Sequence, residues 1–558
     1  MTLLAALLAL ALIAAACGND DDTTTQESTP EATEEATEGA TEEATEDATE
    51  EATSEPSDEV AAGCEATVEG TEVTYGVFAP TRAMEPTVSS GSLVGGDQLI
   101  AFYDQLVEFD YETGTYSPRV AESLEPNEDF TEWTLVLPEG LTYSNGDPYD
   151  IDNLFTHLDR FLGEQSLNTA RSVLGVIEEK EKVDDQTAVF RLNIPWASFP
   201  SVFEDETGMV INTNIIPEDP DEFAAFSQEP PPEAGIGAYT VERNVPGEEL
   251  VLTAREDYWA GPVCIETLRF VFVPGSSATL EAYQNGDIDI AFLREGAAIQ
   301  DAEDAGDEVS FNDLQNGGGV VLINNAEGSA GEDPRLREAI ILALDESVIN
   351  ERVYGGAGLS TRSLIHPDSE FWTDNTEAAP SDPERAAEIV AELQAEGVDT
   401  TIRYVASDRP PAPDLAITVE AMLENAGFDV EVIGPLPTSD QIARIQTGDF
   451  DLANWGYSGG KGTMFLACRQ NFHSESPSNR IQFLDDEMDA AIDELYAAAT
   501  LEEQQAALEK INNIYVNENV SFTFQAVDEA IIVRPNIQGV KQGGAGTILR
   551  FDEAYIVE

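Results

Sequence analysis

Thr401-Ile402-Arg403-Tyr404-Val405 opens the stretch, running to Cys468, from which the fold can be read. These residues alternate as in a strand, and Asp414 to Ala426 then sets Leu415, Val419, Met422, Leu423 and Ala426 on one helical face. Gly427, tolerant of positive φ, predicts the end of that helix. A second strand, Val430-Glu431-Val432-Ile433, leads through Thr438-Ser439-Asp440 into a helix from Gln441, and Phe450 to Trp455 reads as a third strand. Three strands joined by two helices predict a parallel sheet, and open parallel sheets take ligands at the carboxyl ends of their strands. Those ends carry Ser407-Asp408-Arg409-Pro410-Pro411 and Asn454-Trp455-Gly456-Tyr457-Ser458-Gly459-Gly460.

Arg409 belongs to a chain with 26 Lys and Arg against 109 Asp and Glu. Its planar fork suits a ligand carboxylate; the plainer reading pairs it with a surface acid. Trp455 and Tyr457 could wall an extended ligand or simply fill core. Gly456-Tyr457-Ser458-Gly459-Gly460 also matches G-x-S-x-G, the nucleophile elbow of serine hydrolases. Such an enzyme needs an acid and then a histidine after the serine. Of His157, His366 and His473, His473 alone follows Ser458, with no acidic residue between them. A hydrolase using Ser458 is therefore an alternative, and the main reading has no catalytic residue. Lys461 is not part of a P-loop, because Gly462 stands where Ser or Thr would meet magnesium.

Met1 to Ala16 is an apolar run shorter than the roughly 20 residues of a membrane span, and it ends in Ala14-Ala15-Ala16-Cys17. It resembles a bacterial lipoprotein signal, residues 1 to 17, with Cys17 as the lipid-bearing residue. Residues 18 to 61 follow as a Thr, Glu and Ala tether whose like charges and lack of apolar residues predict disorder. A coil of that length spans on the order of 35 Å. The net charge of -83 cannot come from the tether alone, so the folded part is acidic too, which argues against nucleic acid as a partner. With Cys17 lipidated, Cys64, Cys264 and Cys468 leave one disulfide and one free thiol. Cys64 opens the first strand and Cys264 precedes the strand Glu266 to Val273, so this pair is the expected disulfide, with Cys468 buried and free. No C-x-x-C or zinc spacing appears, and neither metal nor cofactor is expected.

Further upstream, Thr71 to Phe78 alternates as a strand and a helix is expected over Gln98 to Leu106. Ser117-Pro118-Arg119-Val120-Ala121-Glu122-Ser123-Leu124-Glu125 precedes the strand Glu132 to Leu137, then Tyr143-Ser144-Asn145-Gly146-Asp147-Pro148 and Asp152. This reads as a hairpin turning at Asn145-Gly146 and feeding a helix that starts near Asp150. The run closely resembles a pattern of extracytoplasmic solute-binding proteins of the peptide and nickel class, family 5, which deliver ligands to ABC importers. Gly235-Ile236-Gly237-Ala238-Tyr239, Asp257-Tyr258-Trp259, Gly286-Asp287-Ile288-Asp289-Ile290-Ala291, and Asp333-Pro334-Arg335-Leu336-Arg337-Glu338-Ala339-Ile340 with Ala343-Leu344-Asp345 resemble further motifs of that family, in its order.

The resemblance implies an α/β clamshell of two lobes with ligand enclosed between them. Lobe I would span 62 to 316, with a subdomain at about 91 to 215, lobe II would span 317 to 526, and 527 to 558 would return to lobe I. The two crossings should fall near Gly317-Gly318-Gly319, before a strand Val320 to Asn324, and near Phe524 to Ala526. Ser407-Asp408-Arg409-Pro410 resembles the dipeptide-binding branch, so Arg409 would pair with a ligand carboxylate. Trp455, Gly456, Tyr457 and Ser458 would enclose the peptide main chain, with Thr81, Arg82 and Met84 as the opposing wall. In peptide binders an aspartate at the position of Ser458 holds the ligand's α-amino group, and an ammonium buried without a counter-ion costs several kcal/mol. The implied role is capture of a peptide or peptide-like solute for an ABC permease and its ATPase. The protein would be a monomer, lipid-anchored through Cys17 on the outer, periplasmic side of the cytoplasmic membrane. The alternative within that role is a non-peptide ligand: an acidic oligomer, a sugar or a metal chelate.

Overall fold

The computed structural model describes residues 64–557 other than 78, 81–82, 90–94, 164–165, 167–169, 376–377 and 544–545. The signal run with Cys17, the tether, and Thr81 and Arg82 lie outside the described residues. The described residues fall within one compact unit, Val60–Glu558.

The first half of the chain supplies strands β1 (Val68–Val77), β2 (Val107–Asp110), β3 (Thr115–Pro118), β4 (Ser123–Pro126), β5 (Glu132–Val136), β6 (Ile177–Lys182) and β7 (Thr187–Leu192). β8 (Tyr239–Val245), β9 (Glu249–Ala254), β10 (Ile265–Phe272), β11 (Ile290–Leu293) and β12 (Val309–Ile323) follow. The second half supplies β13 (Leu359–Ser360), β14 (Thr401–Ser407), β15 (Asp429–Leu436), β16 (Leu452–Trp455) and β17 (Ser521–Val533). Among the described residues the largest sheet runs β15-β14-β16-β12-β17-β11-β1-β10-β9-β8, with β13 on β17.

The stretch from Thr401 to Trp455 is parallel in its pairing: β14 lies between β15 and β16 and runs with both. The helix between β14 and β15, Ala412–Asn425, buries Leu415, Val419 and Leu423. It ends where expected, because Gly427 takes φ 92 and lets its own N–H and that of Phe428 reach the carbonyls of Glu424 and Leu423. Beyond β16 the sheet changes character. β12 is antiparallel to β16 and to β17, and it is a strand of 15 residues rather than the short one expected from Val320. Its first part, with Asp313, Gln315, Asn316 and Gly317 to Gly319, buries no apolar face with a period of two. Asp313 to Gln315 and Gly319 are held extended by pairing with β17, while Asn316 pairs with Gly459 instead.

Before the large sheet is complete, β4-β5-β7-β6 form a separate four-stranded sheet. Asp150 caps the helix Ile151–Leu162 by accepting from Asn153 N–H. The Asn145-Gly146 turn, with Gly146 at φ 84, is closed by one bridge, Thr142 with Pro148, rather than by a hairpin of two strands. The segment that follows β7 packs on the helices Met464–Phe472 and Asp486–Ala497. Trp196, fully buried, lies 5.9 Å from Phe465 and 5.1 Å from Tyr496, centroid to centroid, and Ala197 N–H donates to the Tyr496 carbonyl. Burying one such side chain is worth roughly 4 to 6 kcal/mol of transfer free energy.

Cys64 and Cys264 are joined, with Cα atoms 5.7 Å apart, where Val68 of β1 pairs with Ile265 of β10. Cys468 is the free cysteine among the described residues, and burial pushes its thiol pKa up. The motif residues Tyr258 and Trp259 are scaffold: both bond to Asp104, which sits 2.5 Å from Arg119, itself 3.0 Å from Asp552. Among the described residues no helix is long and apolar enough to cross a membrane.

Candidate ligand-binding cleft

β12 and β17 form a two-stranded ribbon that belongs to both ends of the large sheet. β16 pairs with β12 over Val320 to Ile323 and stops at Trp455; β11 pairs with β17 over Ala530 to Val533 and stops at Leu293. The carboxyl ends of the two groups of parallel strands therefore face each other across the middle of the ribbon. There the register of β12 on β17 shifts twice, between Gln315 and Val320. Glycine is required at this point. A Cβ on Gly318 would lie 2.6 Å from Val527 Cγ2 and 2.8 Å from Val527 N, and Gly317 adopts φ 61.

The expected site residues separate into two groups, those at the surface or half-buried and those in the core. Arg409 is exposed, two residues beyond the end of β14, ahead of Pro410 and Pro411. These two prolines line a cavity of about 570 Å³. Trp455 is half-buried at the end of β16, and the Arg480 guanidinium lies 5.2 Å from its ring centroid. Gly456 runs so close to β12 that a Cβ there would be 2.6 Å from the Gly318 carbonyl oxygen. Ser458 is exposed, with φ 51.

Tyr457 and Met84, expected as walls, are instead core side chains. The Tyr457 hydroxyl donates to Ser521 Oγ at 3.0 Å and its ring meets Phe472 at 4.8 Å, because Tyr457 N–H and Gly459 N–H are tied to the carbonyls of Gly317 and Asn316 and turn the side chain inward. Met84 packs with Tyr103 and Phe226 in the core against β1. The histidine a Ser458 hydrolase would need is engaged elsewhere: His473 Nδ1 accepts from Glu475 N–H, and Nε2 is 3.6 Å from Asp493.

Sequence reasoning missed the polar middle of the ribbon. Asp313 and Glu529 are buried there. Asp313 accepts from the Tyr111 hydroxyl, from the Gln315 amide and from Lys461 N–H. Glu529 lies 3.2 Å from the Arg294 guanidinium at the end of β11. Burial raises all these acids: Glu529 to about 7 despite Arg294, and Asp528 to about 6 with Asp313 adding to the effect. Asp97, on the helix Gly96–Tyr103, is likewise pushed up to about 7 by burial. The signal was present in the sequence: Asp528-Glu529 sits between Ala526-Val527 and Ala530-Ile531-Ile532-Val533, and a charged pair inside such an apolar run is expensive unless used. Among the described residues no group of His, Cys, Asp and Glu is arranged to hold a metal ion.

The profile of the bacterial extracellular solute-binding proteins, family 5 Middle, matches residues 115–477. The dipeptide-binding protein of Escherichia coli (strain K12) is 22% identical over 442 residues, 72% of this chain and 79% of its own length. Heme-binding protein A of Haemophilus influenzae is 23% identical over 453 residues, 74% of this chain and 79% of its own. The crystal structure of Haemophilus influenzae OppA in complex with RPPGFSPFR aligns with a TM-score of 0.70 at 19% identity, covering 88% of this chain and 100% of that one. This last likeness shows the fold, the mixed α/β architecture of periplasmic solute-binding proteins. With most of its length inside the profile, the chain belongs to the bacterial extracellular solute-binding proteins of family 5.

Proposed function

We propose that this protein is the substrate-binding component of an ABC importer, capturing a peptide or peptide-like solute outside the cytoplasmic membrane and passing it to a permease served by an ATPase. Cys17 carries the lipid that holds the protein at the membrane, and the acidic tether gives it reach. The observation that carries the reading is the β12/β17 ribbon, on whose glycine-interrupted middle two groups of parallel strands converge. On this reading the ribbon is the double crossing between lobes. Closure follows when a ligand makes contacts that exist only with both lobes engaged. No bond in the solute is made or broken.

Arg409 grips the ligand's carboxylate, and Trp455 with the Gly456 to Ser458 backbone borders its main chain, the strand edges supplying hydrogen bonds as they do for extended peptides. Ser458 in the aspartate position supports the second reading, a non-peptide solute in the same cleft. Native mass spectrometry of the purified full chain identifies what co-purifies, and calorimetry then compares the acid and amide forms of one peptide. Arg409→Ala should weaken the acid form about tenfold or more and leave the amide unaffected. Equal affinity for both forms in wild type and variant rejects the clamp. A library in which no peptide binds rejects the peptide reading.

A further inference from the structure

The cavity beside Pro410 and Pro411 has a lining that a carboxylate clamp does not use. Its walls come from both sides of the gap: the helix Gly296–Ala305 after β11, and the end of the helix Glu346–Tyr354 with Gly358, while β17 supplies Gln525 and Asp528. Two acceptors on β17 lack donors. Gln525 is 8% exposed and its Oε1 is buried with no hydrogen-bond partner; Asp528 Oδ1 is in the same condition, although Asn312 gives that carboxylate a side-chain hydrogen bond. A buried acceptor left without a donor costs about 1 to 3 kcal/mol, and more where it is charged. Gly358 keeps the space at Gln525 open, since a Cβ there would lie 2.8 Å from Oε1 and 2.7 Å from Asn350 Oδ1.

The charged groups around Asp528 are mainly acidic: Asp313 on β12, Glu529 beside it on β17, and Glu303 on the helix. Arg294, the basic residue of the lining, is set against Glu529. We infer that this cavity is a subsite for a cationic, donor-rich group of the captured solute, a primary ammonium or a guanidinium, which donates to Asp528 Oδ1 and Gln525 Oε1. The inference rests on the receptor reading above and places the ligand's positive end on β17 instead of at Ser458. An occupant bonded there touches both walls, so recognition of the cation also favours closure.

The probe is putrescine, with the diol of the same length as its uncharged counterpart, titrated calorimetrically into the full chain at neutral pH and physiological ionic strength. Putrescine should bind and the diol should not. Asp528→Asn should weaken putrescine about ten- to a hundredfold, the worth of one charge-assisted hydrogen bond. Gly358→Ala, which crowds Gln525 Oε1, should weaken it as well. Glu256→Gln, an exposed acid outside the lining, should leave the affinity unchanged. Absence of putrescine binding overturns the inference. So does an equal loss in Asp528→Asn and Glu256→Gln, which would mark attraction to the acidic surface at large. Peptides that bind wild type and Asp528→Asn equally well would remove the subsite while leaving the receptor reading standing. A protein that binds no solute of any class would remove both.

Discussion

Replacing Glu529 by Gln should abolish a pH dependence of stability that can be traced to one side chain. Glu529 is fully buried, and burial, partly offset by Arg294 at 3.2 Å, raises its carboxyl from an ordinary 4.5 to about 7. In the interval between those values the native state holds a proton that the unfolded chain has released. The stability this group contributes is therefore fully present below about pH 4.5 and is lost as pH rises through about 7. At 1.36 kcal/mol per pH unit, that interval corresponds to about 3 kcal/mol. Asp528 titrates beside it at about 6, so the informative quantity is the difference between wild type and Glu529→Gln. Urea unfolding followed by tryptophan fluorescence, at several pH values from about 4.5 to 8, measures it. The stability of wild type relative to the variant should fall by about 3 kcal/mol across the series. Parallel curves would refute the assignment, because an ionised Glu529 would then be as well accommodated as a neutral one.

Gly318→Ala brings a methyl group within 2.6 Å of Val527 Cγ2 and 2.8 Å of its backbone nitrogen, so the variant should lose about 1 to 3 kcal/mol in chemical denaturation; wild-type stability would show that the ribbon has room to spare. Cys64→Ser opens a covalent loop of 200 residues, whose closure is worth up to about 5 kcal/mol in a chain-entropy account, and its melting temperature should fall to that of the reduced wild type. An unchanged melting temperature would mean that β1 and β10 hold that corner unaided. Ser458 should not react with a fluorophosphonate probe, since His473 is bound to its own surroundings; specific labelling of Ser458 would revive the hydrolase alternative.

Much of the scaffold was legible because its determinants are local. The alternation at Thr401 to Val405, the apolar stripe from Leu415 to Leu423 and the positive φ at Gly427 depend on a few neighbouring residues, and they appear in the structure as β14, the helix Ala412–Asn425 and its end. The motifs were legible as a resemblance too, but not the fact that several are one feature. Arg119 meets Tyr258 and Asp552, which lie 139 and 433 residues away, in a buried network that no window of sequence contains.

The sequence by itself determined that this chain is strongly acidic, builds parallel α/β units, and carries an arginine at the carboxyl end of a strand. Tertiary structure decided which polar residues are buried and which aromatics are free. Tyr457 could have faced a ligand, and it became core because Ser521 and Phe472 wait behind it. Asp313 and Glu529 look like surface acids in a chain with 109 Asp and Glu, and they became buried in the middle of the ribbon because the pairing of β12 with β17 sets them opposite each other. The physical reason is that backbone preference and apolar periodicity are properties of neighbours along the chain. The burial of a charge depends instead on partners that arrive only when distant segments meet.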